Sequence, residues 1–447
     1  MNSTSDLQEV SLPFISMDRQ KIEVQFTEPN TSSDGGLILL REVEKHTGYI
    51  ENFSNSLIDS RNQSYVKHTF LELSKQRVFQ ITTGHEDCND CDLLKNDPLF
   101  QISSKEKLGS SLSSQPTMSR FENSISRSNL LRASYSICDN FLNGFAKEPE
   151  VIIIDMDPTE NRVYGDQQLA LFNGFADDYC FMPFHVYDGI TGQLITTVLR
   201  PGKTPSGTEI RTVLKRIVNR IRARFSNTKL IFRADSHHCR TEVLTYLDEY
   251  EIGYIIGFSK KYLPRGICEN LGKRALMLSK LEFKKVRLFH SFQHRVSSWD
   301  CQRRVICRAE GNGSEADLRY IVTNLTDKTQ FLYEKVYCDR ANAELRIKDS
   351  KAGLHSDRTS CHGKEANQFR LLLNAVAYQI MHAFRANILK GTQWAKSTFK
   401  TIQLRILKTS ARLEVKKTFI RLHMPKSCTA KQVFNRFAKI SQCLNKT

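Results

Sequence analysis

Residues 151–157 read Val-Ile-Ile-Ile-Asp-Met-Asp. Four consecutive β-branched apolar residues, with no polar alternate, suit a strand covered on both faces, as in sheets sandwiched between helices. The run stops at two aspartates spaced two apart, which a strand points to the same face. Phe181–Tyr187 and Gln193–Leu199 follow as strand candidates, joined by Asp188-Gly189-Ile190-Thr191-Gly192, which carries hairpin-turn chemistry. Gly207–Phe225 places Ile210, Val213, Leu214, Ile217, Val218, Ile221 and Phe225 at the 3.6 period of a helix. Its opposite face is basic, with Arg211, Lys215, Arg216, Arg220 and Arg222. Lys229–Arg233 reads as a strand, Arg240–Tyr250 as a helix and Gly253–Phe258 as a further strand.

The order β-β-β-α-β-α-β is that of an RNase H-like domain, provided the first three strands form a meander. At 447 residues the chain exceeds one ordinary core, and several domains are expected. Residues 1–150 are polar and rich in Ser and Asn. They carry apolar stripes of helical spacing at Leu37, Leu39, Leu40, Val43 and from Val66 to Ile81. The segment Ser114–Ile125 opens with Pro116, suited to a first helical turn, and exposes Thr117, Ser119 and Arg120. It fits a DNA-reading helix or an ordinary surface helix.

The formal net charge is +17, with a pI near 9.3, a balance suited to a polyanionic partner. The excess is concentrated: residues 386–447 hold fourteen Lys and Arg against one acid, Glu414. Within them Thr401–Leu422 alternates at Ile402, Leu404, Ile406 and at Leu413, Val415, the pattern of a basic β-ribbon. The apolar runs are far shorter than a membrane span. Met1–Val10 lack a basic stretch followed by an apolar one, so a cytoplasmic protein is expected. Twelve cysteines without repeating spacing read as reduced, buried residues. Cys88 and Cys91 form a CxxC after His85, but no second pair follows at finger spacing, and zinc is not expected there.

Asp155 and Asp157 close one strand and Asp235 closes another, Leu230–Ala234. Carboxylates at the carboxyl ends of strands either cap the next turn or, gathered together, hold a cation such as Mg²⁺. A third acid lies in Tyr337-Cys-Asp-Arg340-Ala-Asn-Ala-Glu344-Leu-Arg-Ile-Lys348-Asp-Ser-Lys351. At about 100° per residue, Tyr337, Arg340, Glu344, Lys348 and Lys351 share a stripe roughly 80° wide. That stripe is either a solvated face with a Glu344–Lys348 pair, or a helix laid along a phosphate backbone.

Tyr337, Arg340, Glu344 and Lys351 match the Tyr-x2-Arg-x3-Glu-x6-Lys signature, and the chain thereby resembles the DDE transposases of bacterial insertion sequences. TSSDGGLILLREVE, GHEDCNDCDLLKNDP, SQPTMSRFEN, the tract from DMDPT to YGDQQ, RADSHHC and YIVTNL look like the branch numbered thirteen-eighty. The resemblance runs from about residue 30 to at least 385. It implies an α/β fold: an RNase H-like catalytic domain with a mixed sheet flanked by helices, a mainly helical N-terminal domain, an insertion subdomain with strands, and a basic C-terminal segment. The expected divisions are 1–148 for end binding and dimerisation, 149–259 for the first part of the core, 260–325 for the insertion, 326–385 for the last part of the core, and 386–447 for DNA binding.

The resemblance also implies a triad of Asp157, Asp235 and Glu344 holding two Mg²⁺ ions, replaceable by Mn²⁺. Asp157 stands in the family's Asp-x-Thr context and Asp155 does not, which leaves Asp155 to orient its neighbours. Tyr337, Arg340, Lys348, Lys351, Thr117 and Arg120 are the expected DNA contacts. His237 and His238 stand where small or apolar residues are expected, and read as exposed imidazoles on a turn. The implied activity is cleavage and strand transfer at terminal inverted repeats, within a homodimeric synaptic complex on the bacterial nucleoid. An RNase H-like nuclease or resolvase, and a non-catalytic DNA-binding descendant, are the alternatives.

Overall fold

The computed structural model describes residues 12–17, 20–174, 176–264 and 266–444. Met1–Val10, read as lacking an export signal, lie outside the described residues.

The five strands forecast between 151 and 258 form in whole or in part, and with three more they build one eight-stranded mixed sheet. In chain order these are β1 (Val151–Pro158), β2 (Phe184–Asp188), β3 (Leu194–Val198), β4 (Lys229–Ala234), β5 (Gly253–Phe258), β6 (Val286–His294), β7 (Arg303–Gly311) and β8 (Ala316–Thr323). Their spatial order is β6-β7-β8-β5-β4-β1-β2-β3. β1, β2 and β3 are antiparallel neighbours. β4 lies parallel to both β1 and β5. Two helices make the crossovers, α1 (Gly207–Arg224) and α2 (Thr241–Glu249). Ser206 caps α1 in a capping box with Glu209, which fixes where the helix begins.

Residues 260–325, expected as an insertion subdomain, hydrogen-bond into this same sheet, because β8 pairs antiparallel with β5. Helix α3 (Glu269–Glu282) packs on β6 and β7. The strand expected to run from Phe181 is divided. Asp178–Phe181 pairs with Asn161–Arg162 and Leu171–Asn173 in a small separate sheet, and only Phe184–Asp188 joins the main one.

Strand alternation sorts the sheet's two faces. Ile152, Ile154 and Met156 of β1, with Leu230, Phe232 and Ala234 of β4, pack against α1 and α2. The intervening residues, among them Asp155, Asp157 and Arg233, therefore turn to the opposite face. That face is covered by α4 (Ala341–Leu354) and by the segment Leu332–Tyr337. Next to them runs α5 (Lys364–Ala383), buried along most of its length. A helix apolar on nearly all sides belongs inside a core, and α5 packs against N-terminal helices including Leu37–Thr47, Phe70–Thr82 and Arg127–Asn143. Its Arg370 joins Arg77 around Glu122, all three buried, and so ties the N-terminal helices to the rest.

The C-terminal basic segment differs from its forecast. Ile402 and Ile406 lie in the helical stretch Phe399–Leu407 and are fully buried. Spacing of two over so short a run also fits one side of a helix, and burial against the N-terminal helices decides the outcome. A ribbon does form, from Ala411–Val415 and Ile420–His423, and Ala411 pairs with Ser32 near the start of the chain. Described residues of the segment, as far as Phe437, thus contribute to the common core.

Candidate active site

Asp157 is the penultimate residue of β1, and Asp235 immediately follows β4, two adjacent parallel strands. Both stand at carboxyl ends, where a sheet of this kind opens its crevice. Glu344 sits in the first turn of α4. Remote in sequence, the three acids act on one another: burial, opposed by Arg340 and reinforced by the charges of Asp235, Glu344 and Asp155, pushes the Asp157 carboxyl up to about 7.

Arg340 links the site. Its Nη1 lies 3.4 Å from Asp157 Oδ2, and its Nη2 donates to Glu344 Oε1 at 2.6 Å. Glu344 is otherwise open, with 57% of its side chain exposed, whereas the Asp157 side chain is 11% exposed.

Asp235 is held by the residues after it. Its Oδ1 accepts from the backbone N–H of His237 at 3.0 Å and lies 2.7 Å from His238 Nδ1, while its Oδ2 lies 3.1 Å from His237 Nδ1. Burial alone would raise this carboxyl. The His238 hydrogen bond, with the charges of His238, His237 and Arg340, outweighs burial and holds it below the usual carboxylate range. The expectation of two exposed imidazoles is corrected: His237 is exposed, but His238 is fully buried. The Ser236–His238 turn is tight enough to fold both rings back onto the acid that caps it.

Asp155 is engaged elsewhere. It faces Arg233 directly across the β1–β4 register, and Arg233 donates to both its oxygens at 2.6 and 2.7 Å. Arg233 also donates to the Val336 carbonyl at 2.6 Å, and Arg346 of α4 stands 3.6 Å from Asp155. Asp155 thus holds the sheet to the helix that carries Glu344. Arg233 and Arg346 were not singled out in the sequence, although pairing Leu230–Ala234 with Ile152–Met156 in parallel register would have set Arg233 opposite Asp155.

The stretch from Tyr337 to Lys351 is not one regular helix. The backbone widens to i→i+5 turns over Leu332–Tyr337, tightens to a 3-10 turn at Cys338–Arg340, and becomes α-helical at Ala341. Such departures recur at functional sites. Tyr337 still lies beside Arg340 and Asp235 and is half-buried over β5. A Cβ on Gly257 would stand 2.7 Å from its hydroxyl and 2.8 Å from the Ser236 nitrogen, so glycine permits this approach. Lys348 is exposed, and Lys351 donates to the Glu160 carbonyl. Both lysines line a groove with Asp157, Thr159 and Glu344. Thr117 and Arg120 lie apart from it, on the helix Gln115–Asn123, where Arg120 is exposed and its Nη2 donates to Thr117 Oγ1 at 3.3 Å.

Among the described residues, no group of three His, Cys, Asp or Glu side chains stands ready to hold a metal ion. The donor set nevertheless suits a hard divalent cation: carboxylate oxygens, one of them buried against the charge of two others. Arg340 supplies the positive charge that links Asp157 and Glu344. Cys88 and Cys91 hold separate partners, Glu122 and Gln80, with buried thiols pushed up to about 12 and about 11.

A family model described as transposase DDE domain group 1 matches residues 14–445. A comparison with curated proteins gives no match. Among solved structures, the chain is similar to the piggyBac transposase in its synaptic complex with hairpin DNA. The two share 12% identity at a TM-score of 0.39, over 83% of this chain and 80% of that one. No helix among the described residues is long and apolar enough to cross a membrane.

Proposed function

Because the chain belongs to the DDE transposases of domain group 1, we propose that it binds the terminal inverted repeats of a bacterial insertion sequence, cleaves DNA there and joins the ends to a target. The branch numbered thirteen-eighty is the one its tracts fit. What supports this reading is that Asp157 and Asp235 stand at the ends of adjacent strands, that Glu344 lies on the helix laid across them, and that the charges of Asp235 and Glu344 help to raise the Asp157 carboxyl.

In this reading the core is RNase H-like, and the three acids hold two Mg²⁺ ions, which supply activation of the attacking oxygen and neutralisation of the leaving 3′-oxygen. Asp157, within β1, and Asp235, just past the end of β4, fix position. Glu344, more exposed, comes in from α4. Arg340 exchanges its carboxylate partners for a phosphate oxygen when DNA arrives, and Lys348 and Lys351 hold further phosphates along the groove. Tyr337 anchors the start of α4 against β5. The helix bearing Thr117 and Arg120 reads the end sequence, and the ribbon 411–423 grips the backbone. Two copies, one for each end, form the working complex.

The test is a strand-transfer assay. Purified protein, Mg²⁺, a labelled duplex ending in the element's terminal repeat with a free 3′-hydroxyl, and a supercoiled target should yield covalently joined product. Cleavage without any joining would assign the chain to the nucleases instead.

A further inference from the structure

Two histidines follow Asp235 within three residues, and their rings take different oxygens of its carboxylate. His238 is fully buried. Its ring lies 5.8 Å from that of Phe184 and 6.1 Å from that of Phe232, so apolar packing fixes where it stands. Its Nδ1 sits 2.7 Å from Asp235 Oδ1, which also accepts the backbone N–H of His237 at 3.0 Å. A carboxylate oxygen has two lone pairs, and both of those on Oδ1 are thereby used inside the turn. Oδ2 is the oxygen that can serve a ligand.

His237 is held differently. Arg240 donates to its carbonyl at 3.2 Å, which steadies the backbone of the turn. Its side chain is 59% exposed and that of Asp235 24%, so a solvated ion can reach both. His237 Nδ1 stands 3.1 Å from Asp235 Oδ2. That is the spacing of two neighbouring ligands on a six-coordinate cation, with bonds of about 2.1 Å meeting near a right angle. Without a cation, Nδ1 carries a proton, because an ionised carboxylate only accepts. A cation bound to both atoms takes that proton's place, and the neutral ring keeps its one proton on the outer nitrogen, Nε2. The charge of Asp235 reaches Asp157 on the adjacent strand, so the pair adjoins the carboxylate site.

A nitrogen donor changes which cation a site prefers. Mg²⁺ is a hard ion served by oxygen, whereas imidazole adds affinity for first-row transition-metal ions. We infer that Asp235 Oδ2 and His237 Nδ1 form a mixed oxygen–nitrogen pair for one of the cations at the carboxylate site, and that this position favours a transition-metal dication over Mg²⁺. The inference rests on the transposase reading and deepens it, naming a further ligand and a metal class for the same site.

The experiment is pulsed electron paramagnetic resonance on the full-length protein loaded with Mn²⁺, beside calorimetric titrations with Mn²⁺ and with Mg²⁺. Wild type should show the nitrogen coupling of a directly bound imidazole. His237→Ala, at an exposed side chain, keeps the backbone N–H that Asp235 accepts. It should abolish the coupling, lower Mn²⁺ affinity by about ten-fold and leave Mg²⁺ affinity as in wild type. Bound Mn²⁺ without nitrogen coupling, or a coupling that persists in His237→Ala, overturns the inference. The transposase reading then stands if Glu344→Gln removes the bound Mn²⁺. Wild-type protein that binds no Mn²⁺, alone or with an end duplex, overturns both.

Discussion

Arg233 and Asp155 face one another across adjacent parallel strands and share two hydrogen bonds of 2.6 and 2.7 Å, both side chains almost wholly buried. The same guanidinium reaches the carbonyl of Val336 at 2.6 Å, and Asp155 is approached from α4 by Arg346. The pair therefore sets where α4, and with it Glu344, rests on the sheet.

Removing either partner strands the other in a dry site. Arg233→Met and Asp155→Ala should each destabilise the fold by about 3–5 kcal/mol, and the double variant by less than their sum. Urea denaturation monitored by circular dichroism checks both statements. Additive losses would show that the two side chains act independently.

Asp157 gives the stability a pH dependence of known sign. Its carboxyl titrates near 7 in the fold and near 4 in an unfolded chain. Between those values the folded chain binds the proton and the unfolded chain does not, so this group's contribution is complete below about pH 4 and is lost as pH rises towards 7. Asp157→Asn should flatten that decline and make the metal-free protein more stable than wild type at pH 8, by up to a few kcal/mol. Denaturation curves at pH 5 and pH 8 measure it.

Much of this was legible in the sequence, for identifiable reasons. Unbroken apolar runs at Val151–Ile154 and the amphipathic period from Ile210 to Ile221 are local signals, and the elements they announce are present. Glu344 and Arg340 stand four apart, and their contact follows from helical spacing. What the sequence withheld depends on long-range pairing. Nothing local says that Ala316–Thr323 would pair with β5 and draw 260–325 into the main sheet. Ile402 and Ile406 alternate like strand residues, yet their burial beside N-terminal helices makes them helical. His238 looks like a surface residue until Asp235 takes its ring.

Arg340 occupies the charge position that a cation would share. Arg340→Ala should leave Asp157 and Glu344 repelling one another and so increase the stabilisation gained from Mg²⁺ or Ca²⁺ without DNA. For a site filled to a hundred times its dissociation constant, that gain is about 2.7 kcal/mol. Thermal shifts across a metal titration compare variant with wild type. A smaller metal response in the variant would mean that Arg340 helps to build the site instead of filling it.

The helix Gln115–Asn123 presents Arg120 to solvent while Met118 and Phe121 anchor it. If it reads the terminal repeat, Arg120→Ala should weaken binding of the end duplex by about 1–3 kcal/mol and leave binding of unrelated duplex nearly unchanged. Electrophoretic mobility shifts with both duplexes at fixed salt decide this. Equal weakening on both would reduce Arg120 to a backbone contact.

The most direct measurement concerns Glu344. Glu344→Gln keeps the shape and removes the charge at an exposed position, so folding and end binding should persist. Cleavage of a labelled end duplex in Mg²⁺ should fall by roughly a thousand-fold or more, the scale of losing an essential group that stabilises the transition state. Cleavage at the wild-type rate, with the variant folded and bound to the end, would contradict the three-carboxylate site.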